Sequence, residues 1–118
     1  MNIQIIPKDN CTVIALEGRL EAGQAEKTQA AVQGALADGP PNLLLDCAKL
    51  SYVASMGLRC FLLAQKEAQK AGGRAIFSGL NENVRSVFAI TGFDKLTQVL
   101  ETAEEALALF SAASGKQP

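Results

Sequence analysis

The chain contains no histidine. That single absence removes the commonest general base and the commonest metal ligand together. Its 3 cysteines are an odd number, and none is spaced as CxxC. Cys11, Cys47 and Cys60 are therefore read as reduced thiols, which points to the cytoplasm. Charge of one sign is also lacking: 11 Lys and Arg against 12 Asp and Glu leave a formal net charge of −1. No basic excess points to nucleic acid, and no polybasic cluster points to a membrane surface. No apolar run approaches the roughly 20 residues that a bilayer span needs. The alternating opening Met1-Asn2-Ile3-Gln4-Ile5-Ile6 is unlike a signal peptide and like a strand. Gly72-Gly73 lacks the G-x-x-x-x-G-K-[ST] pattern of a phosphate loop and ends a helix instead of opening one. Nothing in the chain calls for a metal or another cofactor.

What is present is the material for one core. The 118 residues are 48% hydrophobic, enough for a single domain. Ile3–Ile6 reads as a strand stopped by Pro7, and Thr12–Leu16 as a second strand ended by Gly18, the two forming a hairpin around Asp9-Asn10. Gly23–Ala37 has the period of a helix, with Ala25, Thr28, Val32, Ala35 and Leu36 on one face. Asp38-Gly39-Pro40-Pro41 ends it. Leu43–Asp46 is a continuous apolar strand of the kind buried on both faces. Met56–Ala71 reads as a helix that is apolar around its start and solvated toward its end, stopped by Gly72-Gly73. Ala75–Phe77 and Leu96–Leu100 read as short strands. Between them, Asn81 caps a helix that carries Val84, Val87, Phe88 and Thr91 inward and closes at Gly92. Thr102-Ala103-Glu104-Glu105 is a capping box that opens a last helix, with Ala103, Ala106, Leu107 and Phe110 inward. Strands alternating with helices predict an α/β fold: a mixed, mostly parallel sheet of about five strands with about four helices. Right-handed crossovers leave the helices mostly on one side if the strand order is suitable, and that order stays open. The domain is expected over 1–112, with a frayed tail over 113–118.

The most telling segment is the junction Leu43-Leu44-Leu45-Asp46-Cys47, Ala48-Lys49-Leu50-Ser51-Tyr52-Val53, Ala54-Ser55-Met56-Gly57-Leu58. An apolar strand runs into a short loop that opens a helix at Ser55. A hydroxyl there meets free backbone N–H groups and the positive end of the helix dipole. A phosphate at Ser55 would be tolerated by its own protein and would place about two negative charges on the surface. The plainer reading is that Ser55 is an N-cap contributing about 1 kcal/mol. Met56 is either a core plug or, if exposed, an adaptable contact beside Ser55. Cys60 near the start of the same helix is either a thiol with a lowered pKa or a buried small hydrophobe. Glu21 and Asp46 are the two carboxylates to consider as a catalytic pair. Arg85 is either a solvated charge or a guide for an acidic partner.

Four stretches, in this order and at this spacing, resemble the STAS-domain family of anti-sigma-factor antagonists. Val13-Ile14-Ala15-Leu16-Glu17-Gly18-Arg19-Leu20-Glu21 matches that family's apolar strand followed by L-x-G-x-L-D/E. Leu43–Asp46 and Tyr52–Leu58 match its L-D-L-S…F-I-D-S-S-G-L. Ala71–Phe77 matches its gap and fourth strand, and Asn83–Asp94 its V-R-x-V-L-x-x-T-G-L-D. The resemblance spans nearly the whole chain. It implies a cytoplasmic, non-enzymatic regulatory domain that sequesters a GHKL-type serine kinase, itself an anti-sigma factor. Phosphorylation releases that complex, and a serine phosphatase restores it. Neither nucleic acid nor membrane is a partner, and the state is monomer or weak dimer. Residue by residue, Ser55 stands at the phosphoacceptor position. The partner surface is expected from the Tyr52–Gly57 loop with Ala54 and Met56, from Arg59, and from the loop at Glu21 and Gly23. Two positions depart from the pattern: Ala54 replaces the acidic residue before the serine, and Met56 replaces the second serine. The alternative is therefore a STAS module that is not phosphorylated and serves as a regulatory scaffold or small-ligand-binding domain.

Overall fold

The computed structural model describes residues 2–115, and side chains as far as residue 112. The elements run β1 (Asn2–Pro7), β2 (Thr12–Leu20), α1 (Ala22–Asp38), β3 (Leu43–Val53), α2 (Ser55–Lys70), β4 (Ala75–Ser78), α3 (Glu82–Thr91), β5 (Gln98–Leu100) and α4 (Ala103–Gly115). A 3-10 turn at Phe93–Lys95 links α3 to β5. The five strands form one sheet in the order β1-β2-β3-β4-β5. β1 pairs antiparallel with β2, and every other pair is parallel. The expected fold is the observed one, and its strand order is now fixed.

The alternation of side chains along the central strands sorts the core into two layers. Ile14, Leu43, Leu45 and Phe77 face α1, α2 and α3, and pack with Val32, Phe61 and Phe88. Val13, Leu44 and Ile76 face the other way and pack with Ala106 and Phe110 of α4. Among the described residues, three helices thus cover one face, and α4 covers part of the other. The helix ends follow the signals read above. Val84 N–H donates to the Asn81 side chain at 2.8 Å. Gly92 ends α3 with φ of 75°, a left-handed conformation that glycine adopts freely. Glu105 N–H donates to Thr102 Oγ1 at 3.2 Å while Thr102 N–H donates to Glu105 Oε1 at 3.1 Å, completing the capping box.

The structure corrects both long strands. β2 does not end at Gly18 but runs through it to Leu20. Gly18 has φ of 105° and sits at one of two register shifts against β3. It is a bulge within the strand and not a stop. β3 likewise continues from Asp46 to Val53. Ser51 Oγ donates to Gly18 C=O across the bulge at 3.0 Å. β5 is shorter than expected, because Leu96 and Thr97 belong to the turn that leaves the 3-10 segment. Of the tail expected over 113–118, residues 116–118 lie outside the described residues, and α4 reaches Gly115.

Candidate functional site

β2 and β3 are parallel neighbours, so their C-terminal ends deliver the starts of α1 and α2 to the same edge of the sheet. The ladder persists to the last residue: Leu20 pairs with Val53, and Ala54 N–H donates to Leu20 C=O at 2.9 Å. The expected loop at Tyr52–Gly57 is therefore not a loop. Tyr52 and Val53 end β3, Ala54 alone turns the chain, and Ser55, Met56 and Gly57 form the first turn of α2. The loop expected at Glu21 and Gly23 is absent as well. Glu21 is the residue between β2 and α1, and Gly23 lies in the first turn of α1, exposed.

Ser55 is the first helical residue of α2, and the N-cap is Ala54, which offers no side-chain bond. The N-cap reading of Ser55 is overturned. Its side chain is exposed and makes no hydrogen bond among the described residues. Ser55→Ala is accordingly expected to change stability by less than about 0.5 kcal/mol, measurable in paired urea melts. A loss near a full cap energy of about 1 kcal/mol would show that the hydroxyl does hold the helix end.

The first turns of both α1 and α2 lack acidic residues, and neither N-cap closes on a backbone N–H. Glu21 is drawn away instead. Its carboxylate accepts from Arg19 Nε at 3.2 Å and Arg19 Nη2 at 2.9 Å. Arg19 lies opposite Tyr52 in the register and stacks on its ring at 4.2 Å. The N-terminus of α2, with neither an acidic residue nor a side-chain cap to compensate its dipole, therefore stands beside an exposed hydroxyl. Met56 is 49% exposed and Tyr52 37%, so Met56 is no core plug. Arg59 is exposed one turn beyond Ser55 on α2 and makes no ion pair among the described residues.

Gly57 serves a different end from its neighbours. It is buried, and a Cβ there would lie 2.6 Å from Val53 Cγ2 and 2.8 Å from Leu20 Cγ. Its lack of a side chain lets α2 start directly on the ends of β2 and β3. Gly57 is thus buried within the expected Tyr52–Gly57 partner surface.

The remaining candidates separate. Asp46 accepts from Ala48 N–H at 3.1 Å and lies level with Ala15, whereas Glu21 follows Leu20 at the strand end. Roughly 15–20 Å of strand lies between them, so they do not form a pair. Burial raises the Cys60 thiol to about 11, which settles it as a small buried hydrophobe and not an activated thiol. Cys47 is raised as well, by burial and then by Asp46, and Cys11 by burial. Arg85 approaches Glu101 at 3.8 Å on the surface. Among the described residues, no group of three or more His, Cys, Asp or Glu side chains could hold a metal ion, and no helix is long and apolar enough to cross a membrane. Arg19 escaped the sequence reading, because its contact with Tyr52 depends on a register that two bulges set.

Comparison with known proteins places this geometry in context. The family model described as the STAS domain matches residues 2–106. The "Putative anti-sigma factor antagonist BtrV" of Bordetella bronchiseptica is 31% identical over 105 residues, covering 89% of this chain and 90% of BtrV. An anti-sigma factor antagonist from Mycobacterium paratuberculosis shares the fold with a TM-score of 0.83 at 22% identity, over 92% of each chain. The Bacillus cell fate determinant SpoIIAA in its phosphorylated form shares it with a TM-score of 0.70 at 24% identity, over 91% of this chain and 97% of that one.

Proposed function

The chain belongs to the STAS domain family, and from that premise we propose that it is a cytoplasmic anti-sigma-factor antagonist, a protein-binding switch without enzymatic activity. Its partner is a GHKL-type serine kinase that doubles as an anti-sigma factor. Ser55 is the phosphoacceptor, and a serine phosphatase resets it. The similarity to BtrV over nine-tenths of both chains supports the partner class. The observation that carries the switch is Ser55 itself: an exposed hydroxyl, free of any cap bond, on the first turn of a 16-residue helix.

The physical logic is local. Unmodified, Ser55 stands among groups suited to a partner: Tyr52 and Met56 as apolar contacts, Arg59 as a cation at the rim, and the α1 start at Glu21 and Gly23 beside them. A phosphate on Ser55 would sit at the uncompensated α2 N-terminus, where a dianion is favoured. It would also stand four residues before Arg59, the orientation in which an anion and a cation on a helix attract best. Phosphorylation would thereby take Arg59 from the partner while adding charge that the partner must desolvate. Arg59→Glu is expected to weaken kinase binding by slowing association and removing the rim contact. Lys70→Glu, at the far end of α2, should leave binding unchanged in the same titration. Equal losses from both would displace the surface from the start of α2.

The departures at Ala54 and Met56 favour one second reading, a STAS module that binds its partner or a small ligand without being phosphorylated. Mass spectrometry of the protein from its native cells separates the two. Phosphate on Ser55 supports the switch, and unmodified Ser55 under every growth condition supports the plain module.

A further inference from the structure

We propose that β1 is a self-pairing edge, and that the chain forms a weak symmetric dimer by joining β1 antiparallel to β1 of a second copy. Among the described residues, β1 lies at one border of the sheet, with β2 on one side and no strand on the other. Its segment Asn2-Ile3-Gln4-Ile5-Ile6-Pro7 carries no charge. Exposed edge strands are ordinarily protected by charged side chains, proline, bulges or covering elements, and of these β1 itself carries only Pro7, at its last position. Here the β1–β2 register is regular throughout, and Ile5 and Ile6 are 51% and 38% exposed. The opposite border, β5, is only three residues long.

The backbone specifies the pairing. Lys8 N–H donates to Cys11 C=O at 2.9 Å, so this pair, which continues the β1–β2 register, is a hydrogen-bonded one. Such pairs alternate with non-bonded pairs in an antiparallel ladder. Gln4 and Ile6 therefore turn their backbone groups toward β2, while Ile3, Ile5 and Pro7 turn theirs to the free edge. Thr12, opposite Pro7, agrees: its N–H donates away from β1, to Asn42 C=O at 3.0 Å. Pro7 has no N–H to offer, and an edge position is where a strand tolerates that lack. A two-fold axis through Gln4 sets Ile3 opposite Ile5 of the second copy, and Ile5 opposite its Ile3. Every edge N–H and C=O of Ile3 and Ile5 then has a partner. An axis through Ile5 would instead set Ile3 C=O opposite Pro7, where no donor exists. The axis through Gln4 thus pairs every edge group of Ile3 and Ile5.

A second copy suits this edge better than an unrelated strand. The edge is its own complement under a two-fold axis, and a net charge of −1 gives the copies little reason to repel. One strand edge is a small contact beside the roughly 800 Å² per partner of a stable complex, so the dimer should appear only at high concentration. It leaves the α2 start free on both copies, so a dimer would present two such surfaces.

Sedimentation equilibrium of the full chain across a wide concentration range, joined to cysteine trapping, tests this. The expected result is a reversible monomer–dimer equilibrium that Ile5→Pro abolishes while its thermal melt stays that of the wild type, since Ile5 N–H is unused in the monomer. Gln4 faces its own copy in a non-bonded pair, so Gln4→Cys should trap a covalent dimer under mild oxidation. Ile6→Cys, on the same face but opposite Asn2 of the second copy, should not. A monomer at all concentrations overturns the proposal. So does a dimer that survives Ile5→Pro, or equal trapping through positions 4 and 6. Should Ile5→Pro fail to fold, the trapping pair alone decides the register.

Discussion

Phe61→Ala is expected to lower the unfolding free energy by about 3–5 kcal/mol. Phe61 is fully buried on α2. Its ring lies 5.0 Å from Phe77 and 6.2 Å from Phe88, centre to centre, and Phe88 meets Phe93 edge-on at 4.9 Å. Removing Phe61 would leave a void among rings on a strand, a helix and a turn that cannot all close in together. Leu44→Ala, in the other core layer against α4, should cost about 2–5 kcal/mol. The two sites lie on opposite faces of the sheet and share no partner cluster, so the double variant should show near-additive losses. Urea melts read all three. A Phe61→Ala loss under about 1 kcal/mol would mean that the α2 layer repacks freely, contrary to close-packed interiors. Set against the near-neutral Ser55→Ala, these variants distinguish what α2 contributes to the fold from what it presents to a partner.

The core was legible in the sequence because it obeys simple periods. The apolar run Leu43-Leu44-Leu45 is buried on both faces as such runs are in parallel sheets, and Val32, Ala35, Val84 and Phe88 fall inward at helical spacing. The caps at Asn81 and Thr102 were legible because their chemistry is local in the chain. What escaped was non-local. Two register shifts between β2 and β3 break the period-two alternation, so Gly18 reads as a stop and Ala48–Val53 as a loop. Both strands consequently run further than their sequence pattern, and the junction before Ser55 shrinks to Ala54. Gly57 reads as part of the surface loop, yet its role is set by Val53 and by Leu20, from another strand. No spacing within one segment reveals that contact. The stack of Arg19 on Tyr52 is hidden for the same reason.

Phosphorylated chain, or its Ser55→Asp mimic, is expected to bind the partner kinase about a hundredfold more weakly than the unmodified chain, a differential near 3 kcal/mol. The chemistry asks little of this protein, because the kinase supplies Mg²⁺, ATP and the catalytic base. The chain must offer a hydroxyl that can reach the γ-phosphate, and Ser55 has no cap bond to break first. Ser51 and Ser78 are less suited. Ser51 Oγ is engaged with Gly18 C=O at 3.0 Å, and Ser78 is fully buried on β4. After transfer, the dianion would be stabilised on its own chain by the α2 N-terminus and by Arg59. In the complex it would have to be desolvated against a surface that fitted Tyr52 and Met56. Only the complex bears that penalty, so affinity falls while the fold stays put. Circular dichroism of the phosphorylated and Ser55→Asp proteins should match the wild type. Ser55→Ala should bind tightly and resist release by ATP. Incubation with the cognate kinase and labelled ATP, followed by site mapping and binding titrations, gives the readout. Label confined to Ser51 or Ser78, or absent altogether, together with wild-type binding by Ser55→Asp, would remove the switch and leave a STAS module whose partner surface is constant.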